Sequence, residues 1–232
     1  MQTPPVLCYI TSREELSDSM KQPQVSVQRA DANLGHRCDF LLEKIGEAAR
    51  AGLDFVQLRE KDLGGRALER LALVALETIR RNSARGGESQ TKLLLNTRVD
   101  VALAVGADGL HLSSHDLTVT EVRAIWEHAQ PRTQPIISVA CHTLNEVRTA
   151  ADDGADFVLF APVFGKKNAS GVAATGIENL REACRASIPV LALGGVTLGN
   201  ARACLDAGAT GIAGIRLFQD HDIAAVVREL RG

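Results

Sequence analysis

The sequence predicts a single-domain α/β protein, a (β/α)8 TIM barrel, on three observations. Eight short apolar runs recur along 232 residues, amphipathic helical patterns separate them, and one local motif returns with a period of roughly 50 residues, the length of two βα units.

The first run, Val6-Leu7-Cys8-Tyr9-Ile10, is apolar throughout, as a strand buried on both faces requires. A polar stretch, Leu16 to Arg37, then holds Pro23, Asn33 and Gly35 and reads as a loop insertion at 16–37 that is either a lid or a plain surface excursion. The first helical pattern runs from Asp39 to Ala51. Phe55-Val56-Gln57-Leu58 is the second strand and Gly65 to Arg80 its helix, with apolar positions three and four apart. A loop at Ala84 to Thr91 leads along the lower face into the third strand, Lys92-Leu93-Leu94-Leu95. Gly109-Leu110-His111-Leu112 precedes the helical pattern Thr118 to His128, and Ile136-Ile137-Ser138-Val139 precedes Leu144 to Asp152. Phe157-Val158-Leu159-Phe160 precedes Ile177 to Arg185, Pro189 to Leu193 precedes Leu198 to Asp206, and the eighth strand is expected over Gly211 to Phe218.

The repeated motif is Ala51-Gly52-Leu53-Asp54, Val105-Gly106-Ala107-Asp108, Asp153-Gly154-Ala155-Asp156 and Ala207-Gly208-Ala209-Thr210. Each ends a helix and enters an even-numbered strand. The glycine suits the left-handed residue that follows a helix. These four turns mark the bottom of the barrel and carry structure rather than chemistry.

A chain of 232 residues holds one such barrel and no sizeable second domain. Its net charge of −2, with signs interspersed, offers no nucleic-acid footprint, and no segment approaches the length of a membrane span. The five cysteines are scattered, odd in number and mostly in apolar contexts, which points to reduced core thiols and a cytoplasmic protein.

In a barrel of this kind the residues that end each strand face the active site. Alternation directs Gln57, Arg59 and Lys61 to one side, an amide and two cations suited to a diphosphate or a phosphate ester. A buried Arg59 paired with a barrel carboxylate is the bland alternative. Asn96 ends strand three, Asp116 follows strand four, and His142 follows strand five. Imidazole both takes and gives a proton near neutral pH, so His142 is the catalytic candidate, although a polar residue at a helix N-terminus beside Thr143 would look the same. His111, His115 and His142 form no tight metal-ligand motif. Lys166 and Lys167 lie in a basic loop after strand six, where they either close over an anion or are simply solvated. Gly194 and Gly195 end strand seven, and small residues there let backbone N–H groups approach a phosphate. Ile215 and Arg216, at the end of the last strand, would complete that cradle.

Gln57-Leu58-Arg59-Glu60-Lys61, Asn96-x-Arg98-Val99-Asp100-x-Ala102-Leu103, Gly106 to Leu112, Val163-Phe164, Gly176-Ile177-Glu178 and Leu193-Gly194-Gly195-Val196 together resemble the thiamine phosphate synthase and thiazole tautomerase superfamily, along nearly the whole chain. The resemblance implies a thiazole phosphate ligand held by Gly194, Gly195 and the backbone near Gly214 to Leu217. In the synthase branch it implies Mg2+-assisted coupling of hydroxymethylpyrimidine diphosphate to the thiazole through a pyrimidine carbocation. There Gln57, Arg59 and Lys61 would grip the pyrimidine diphosphate, Asn96 would add a contact and Asp116 would be a magnesium carboxylate. In the tautomerase branch it implies a metal-independent proton shift with His142 as acid and base.

Several positions depart from the synthase pattern. Thr97 stands where a second magnesium carboxylate is expected, Ala140 where a serine is, Gly165-Lys166-Lys167-Asn168 replaces a Thr-x-Thr-Lys loop, and Arg216 replaces a serine. A leaving diphosphate carries several charges and Mg2+ prefers hard carboxylate oxygens, so these losses weigh on the synthase. His142, Thr97 and Val158-Leu159-Phe160 agree with the tautomerase. The expectation is therefore a thiazole tautomerase without cofactor; the alternative is a thiamine phosphate synthase using Mg2+, and a non-catalytic phosphate-ligand binder is the second alternative. The expected partners are these small molecules and a second copy in a homodimer, with no nucleic acid and no membrane.

Overall fold

The computed structural model describes residues 3–15, 30–83, 91–113, 116–129, 133–165 and 174–232. Eight parallel strands close in chain order: β1 (Val6–Ile10), β2 (Phe55–Leu58), β3 (Lys92–Asn96), β4 (Gly109–Leu112), β5 (Ile136–Cys141), β6 (Phe157–Phe160), β7 (Val190–Ala192) and β8 (Gly211–Gly214), which pairs back onto β1. Around them run α1 (Ala30–Arg50), α2 (Gly65–Asn82), α3 (Val99–Val105), α4 (Val119–Ala129), α5 (Leu144–Asp152), α6 (Gly176–Ala183), α7 (Leu198–Asp206), α8 (Arg216–Gln219) and α9 (Ile223–Arg231). The expected (β/α)8 barrel is thus observed.

Strand alternation divides the apolar side chains between two cores. Cys8, Ile10, Leu94, Phe157, Leu159, Leu191 and Ala213 fill the barrel interior, where the Phe55 and Phe157 rings stack at 4.9 Å. Their sequence neighbours, such as Leu7, Tyr9, Leu93 and Leu95, point outward onto the helices. Helix α2 meets them with Leu68, Leu71, Ala72, Ala75, Leu76 and Ile79, the stripe that a 3.6-residue period produces. Burying such a stripe supplies about 1.5–3 kcal/mol for each large aliphatic residue.

The four bottom turns behave as their repetition suggests. Gly52, Gly106, Gly154 and Gly208 all have positive φ. In three of them the following carboxylate accepts the backbone N–H of the preceding strand: Asp54 from Leu7 (2.7 Å), Asp108 from Leu93 (2.9 Å) and Asp156 from Ile137 (2.7 Å). Each carboxylate also meets a cation, respectively Arg231, Lys92 and Arg123. The fourth turn has Thr210, whose carbonyl accepts the Val6 N–H and whose N–H donates to the Val190 carbonyl.

Two expectations need correction. Helix α1 begins at Ala30, so residues 30–37 of the expected loop insertion are helical; residues 16–29 lie outside the described residues. Strand β8 stops at Gly214, and Arg216–Gln219 form a short helix. Phe218 and Gln219 both donate to the Ile215 carbonyl, and the consecutive residues Leu217 and Phe218 are both buried, which a two-sided strand pattern misreads as its own continuation. Helices α3 and α9 extend the anticipated set. The loop at residues 84–90 lies outside the described residues.

Candidate active site

The carboxyl ends of the strands surround a cavity of ≈ 1570 Å³. At one side the end of β2 and the loop after it bring Gln57, Arg59 and Lys61 to the lining as expected, but not by alternation: β2 stops at Leu58, and Leu58 and Glu60 line the cavity as well. Gln57 is 2% exposed; its Nε2 donates to Asn96 Oδ1 at 2.9 Å, while its Oε1 is buried without a partner among the described residues. Arg59 is half-buried and its backbone N–H donates to Thr11 Oγ1 at 3.0 Å. Lys61 stands exposed at the rim. The bland alternative for Arg59, a buried ion pair, falls instead to Arg13, which bonds Glu60 at 3.0 Å and Asp62 at 2.7 Å.

Asn96 and Thr97 carry the lining onward from β3. Thr97 has φ 62°, the one non-glycine residue with positive φ among the described residues. A branched Cβ there is strained by about 1–2 kcal/mol, and strain of this kind collects at functional rims. Next to it, His111 on β4 is buried and its Nδ1 lies 2.9 Å from Ser138 Oγ. Burial pushes the imidazole down to about 4; the Asp116 charge opposes that shift and the Arg59 charge adds to it. His111 is therefore neutral at physiological pH. Asp116 lines the cavity and accepts the Ser113 N–H through Oδ2 at 2.5 Å, while among the described residues its Oδ1 has no hydrogen-bond donor.

Across the mouth, β5 ends in Ala140, Cys141 and His142. The His142 Nδ1 lies 2.6 Å from the Ala161 carbonyl. A carbonyl only accepts, so the proton sits on Nδ1 and Nε2 keeps its lone pair when the ring is neutral. Glu146, in a capping box with Thr143, fixes the His142 backbone N–H. His142 thus precedes the Thr143 cap of helix α5 and presents an oriented imidazole at the cavity wall. Burial pushes the adjacent Cys141 thiol up to about 12, with Glu146 adding to it, so no thiolate nucleophile forms there.

Gly194 and Gly195 follow β7 with φ 91° and 67°. A Cβ on Gly194 would stand 2.7 Å from Pro162 Cα, and one on Gly195 2.7 Å from the Phe164 carbonyl oxygen. Only glycine fits either place. The Gly195 carbonyl accepts from Asn200 Nδ2 at 3.1 Å, and among the described residues no backbone carbonyl takes the N–H of Gly194, Gly195 or Ile215. Donors left unpaired in this way suit an anion. Arg216 stands beside it, with its Nε 4.0 Å from Glu15. The expected cradle members therefore converge, although Ile215 and Arg216 arrive on a turn and a short helix rather than a strand. Lys166 and Lys167 lie outside the described residues.

Among the described residues no group of three His, Cys, Asp or Glu is arranged as a closed metal site, and no helix is long and apolar enough to cross a membrane. The five cysteines are free. Sequence reading missed Arg13, whose partners lie 47 and 49 residues away; it weighed His111 at the mouth only as a metal ligand and missed its pairing with Ser138, for which the polar interruption of two apolar strands was the available signal.

The family profile described as "Thiamine monophosphate synthase" matches residues 31–218. The chain is 30% identical over 227 residues to the thiamine-phosphate synthase of Coprothermobacter proteolyticus, covering 96% of this chain and 98% of that one. It is 39% identical to the thiamine-phosphate synthase of Methanoculleus marisnigri, over 79% of this chain and 83% of that one. Among solved structures it is similar to a thiamine phosphate pyrophosphorylase from Pyrococcus furiosus, with a TM-score of 0.72 and 28% identity over 97% of this chain and 93% of that one. The barrel, its glycine cradle and these matches together place the chain in the thiamine monophosphate synthase family, as an enzyme of thiamine biosynthesis.

Proposed function

We infer that the chain couples hydroxymethylpyrimidine diphosphate to a thiazole phosphate, forming thiamine phosphate and releasing diphosphate. This is the alternative of the sequence reading, and it displaces the tautomerase that the departures at Thr97 and Ala140 favoured. One observation carries it: Gln57 Oε1 is buried at the cavity wall with no hydrogen-bond donor among the described residues. An orphaned buried acceptor costs about 1–3 kcal/mol, and a small turn of the Gln57 amide toward the cavity would let a ligand N–H satisfy it. The exocyclic amine of the pyrimidine supplies one. A carboxylated thiazole phosphate has none to offer. Relatives named as synthases support the same choice.

The remaining lining suits the two substrates. Arg59 and Lys61 flank Gln57 and would hold the diphosphate, with Asn96 adding an amide. The cradle of Gly194, Gly195 and Ile215, extended by Arg216, would hold the thiazole phosphate at the other end. A cavity of ≈ 1570 Å³ exceeds the 300–1,000 Å³ typical of one small ligand. Lys166 and Lys167 are assigned to the diphosphate as charges compensating for Thr97. The Oδ1 of Asp116 fits Mg2+, which commonly takes one or two carboxylates together with substrate phosphates and water. Mg2+ bound there would neutralise developing charge on the leaving diphosphate. His142 presents a lone pair at Nε2 to hold a proton near the reacting groups. The partners in this reading are small molecules, and the homodimer and cytoplasmic placement stand as proposals beside it.

His142 also supports a second reading. Its locked tautomer is what a metal-independent tautomerase needs, a base of fixed orientation facing the cavity. Purified protein incubated with both substrates, in Mg2+ or in EDTA, separates the two. Magnesium-dependent thiamine phosphate, detected by chromatography, is the expected outcome. No product, with a proton shift on the carboxylated thiazole phosphate that ignores EDTA and vanishes in His142→Ala, would establish the tautomerase instead; ligand binding with neither reaction would leave a binder.

A further inference from the structure

The segment from Arg59 to Asp62 is held from behind by a buried cation that takes no part in the site. Arg13, 3% exposed, follows the end of β1. Its backbone N–H and its Nε both bond Glu60 Oε2 at 3.0 Å, and its NH2 group forks onto Asp62 at 2.8 and 2.7 Å. Thr11 completes the grip: its hydroxyl donates to Glu60 Oε1 at 2.7 Å and accepts the Arg59 N–H at 3.0 Å. Glu60 and Asp62 bracket Lys61 and directly follow Arg59, so the clamp holds the loop backbone from which Arg59 and Lys61 line the cavity; Glu60 itself reaches the cavity wall.

The base of this grip is itself fixed. The buried amide of Gln219, on α8, accepts the Ser12 N–H at 3.3 Å and donates to the Ser12 carbonyl at 3.0 Å. Arg13 is the next residue. Its position is therefore set by the element that follows the glycine cradle, while its guanidinium sets the segment carrying the two cations.

We propose that Arg13 is a positioning residue for the diphosphate-binding cations: by clamping Glu60 and Asp62 it fixes where Arg59 and Lys61 stand, without touching ligand itself. This deepens the synthase reading and rests on it. A planar guanidinium forks onto two carboxylates, whereas an ammonium is a point charge and cannot hold both in that geometry. Arg13→Lys keeps the charge and loosens the clamp. Asp62→Asn leaves the buried Arg13–Glu60 pair intact and weakens only the half-exposed arm, so it preserves the fold.

The test measures Kd for inorganic pyrophosphate with Mg2+, and separately for thiazole phosphate, by calorimetry on the wild type, Arg13→Lys and Asp62→Asn. Pyrophosphate affinity is expected to fall about tenfold in Arg13→Lys and about threefold in Asp62→Asn, with thiazole phosphate unchanged within about twofold. Equal weakening of both ligands, or of neither, in Asp62→Asn overturns the proposal, since a merely structural residue moves the two together. Absence of pyrophosphate binding in the wild type overturns the synthase reading itself, a result distinct from either.

Discussion

Replacing His111 by glutamine should flatten the acid side of the stability profile. The unfolded imidazole takes a proton below about pH 6.5, while the folded one, buried beside Ser138 and near the Arg59 charge, takes it only below about 4. Between those values the unfolded chain binds more protons, so lowering the pH favours unfolding. The stability that the neutral ring contributes is fully present above pH 6.5 and is lost on the way down to 4. Linkage over that window gives about 2 kcal/mol between pH 7 and pH 5, approaching about 3 kcal/mol below pH 4. Glutamine does not titrate and still bonds Ser138. The single tryptophan, Trp126, is buried on α4 and reports unfolding by fluorescence. At a urea slope of about 3 kcal/mol/M, the wild-type midpoint should drop about 0.7 M more than that of His111→Gln between pH 7 and pH 5. Parallel pH profiles for the two proteins would refute the assignment of His111 as a neutral buried group.

Three other perturbations have defined outcomes. Gly195→Ala forces a Cβ against the Phe164 carbonyl at positive φ, so it should weaken thiazole phosphate binding at least tenfold by calorimetry and lower stability by about 2 kcal/mol or more. Thr97→Asn relieves a branched side chain at φ 62° and should raise Tm by about 2–4 °C in a scanning calorimeter, for a gain of about 1 kcal/mol. Arg231→Met removes the cation from Asp54 and the donors to the Pro5 and Gly52 carbonyls; a loss of about 1–3 kcal/mol in urea unfolding, with unchanged phosphate affinity, is expected because all of these contacts lie at the bottom of the barrel.

The features legible in the sequence are those made by neighbours in the chain. A buried parallel strand and a turn glycine are each written in a few consecutive residues, and the arrival of Gln57, Arg59 and Lys61 at the mouth follows from their place at the end of a barrel strand. The helix at Arg216–Gln219 was not legible, because Leu217 and Phe218 extend an apolar run that both a strand and a buried helical turn would show. The early start of α1 was hidden for the converse reason, polar residues around Asn33 and Gly35 reading as loop. Arg13 was invisible as a clamp since its carboxylates are distant in sequence. The choice between the two chemistries turned on absent carboxylates in the sequence, whereas the site offers something no sequence displays, a buried amide oxygen with no donor among the described residues.

The carboxylate locks under β1–β2, β3–β4 and β5–β6 have no counterpart under β7–β8, where Thr210 stands. Regions differ in the free energy of local opening, and the pair with the fewest ties opens first. Strand β7 is also the shortest, at three residues. Yet β7 and β8 are the strands whose ends carry the glycine pair and Ile215. A phosphate bridging those ends would staple at the top the one of the four repeated turn pairs that has no carboxylate lock at the base, so that amide hydrogens of Val190 to Ala192 and Gly211 to Gly214 exchange more slowly once it is bound, while the three locked pairs scarcely change.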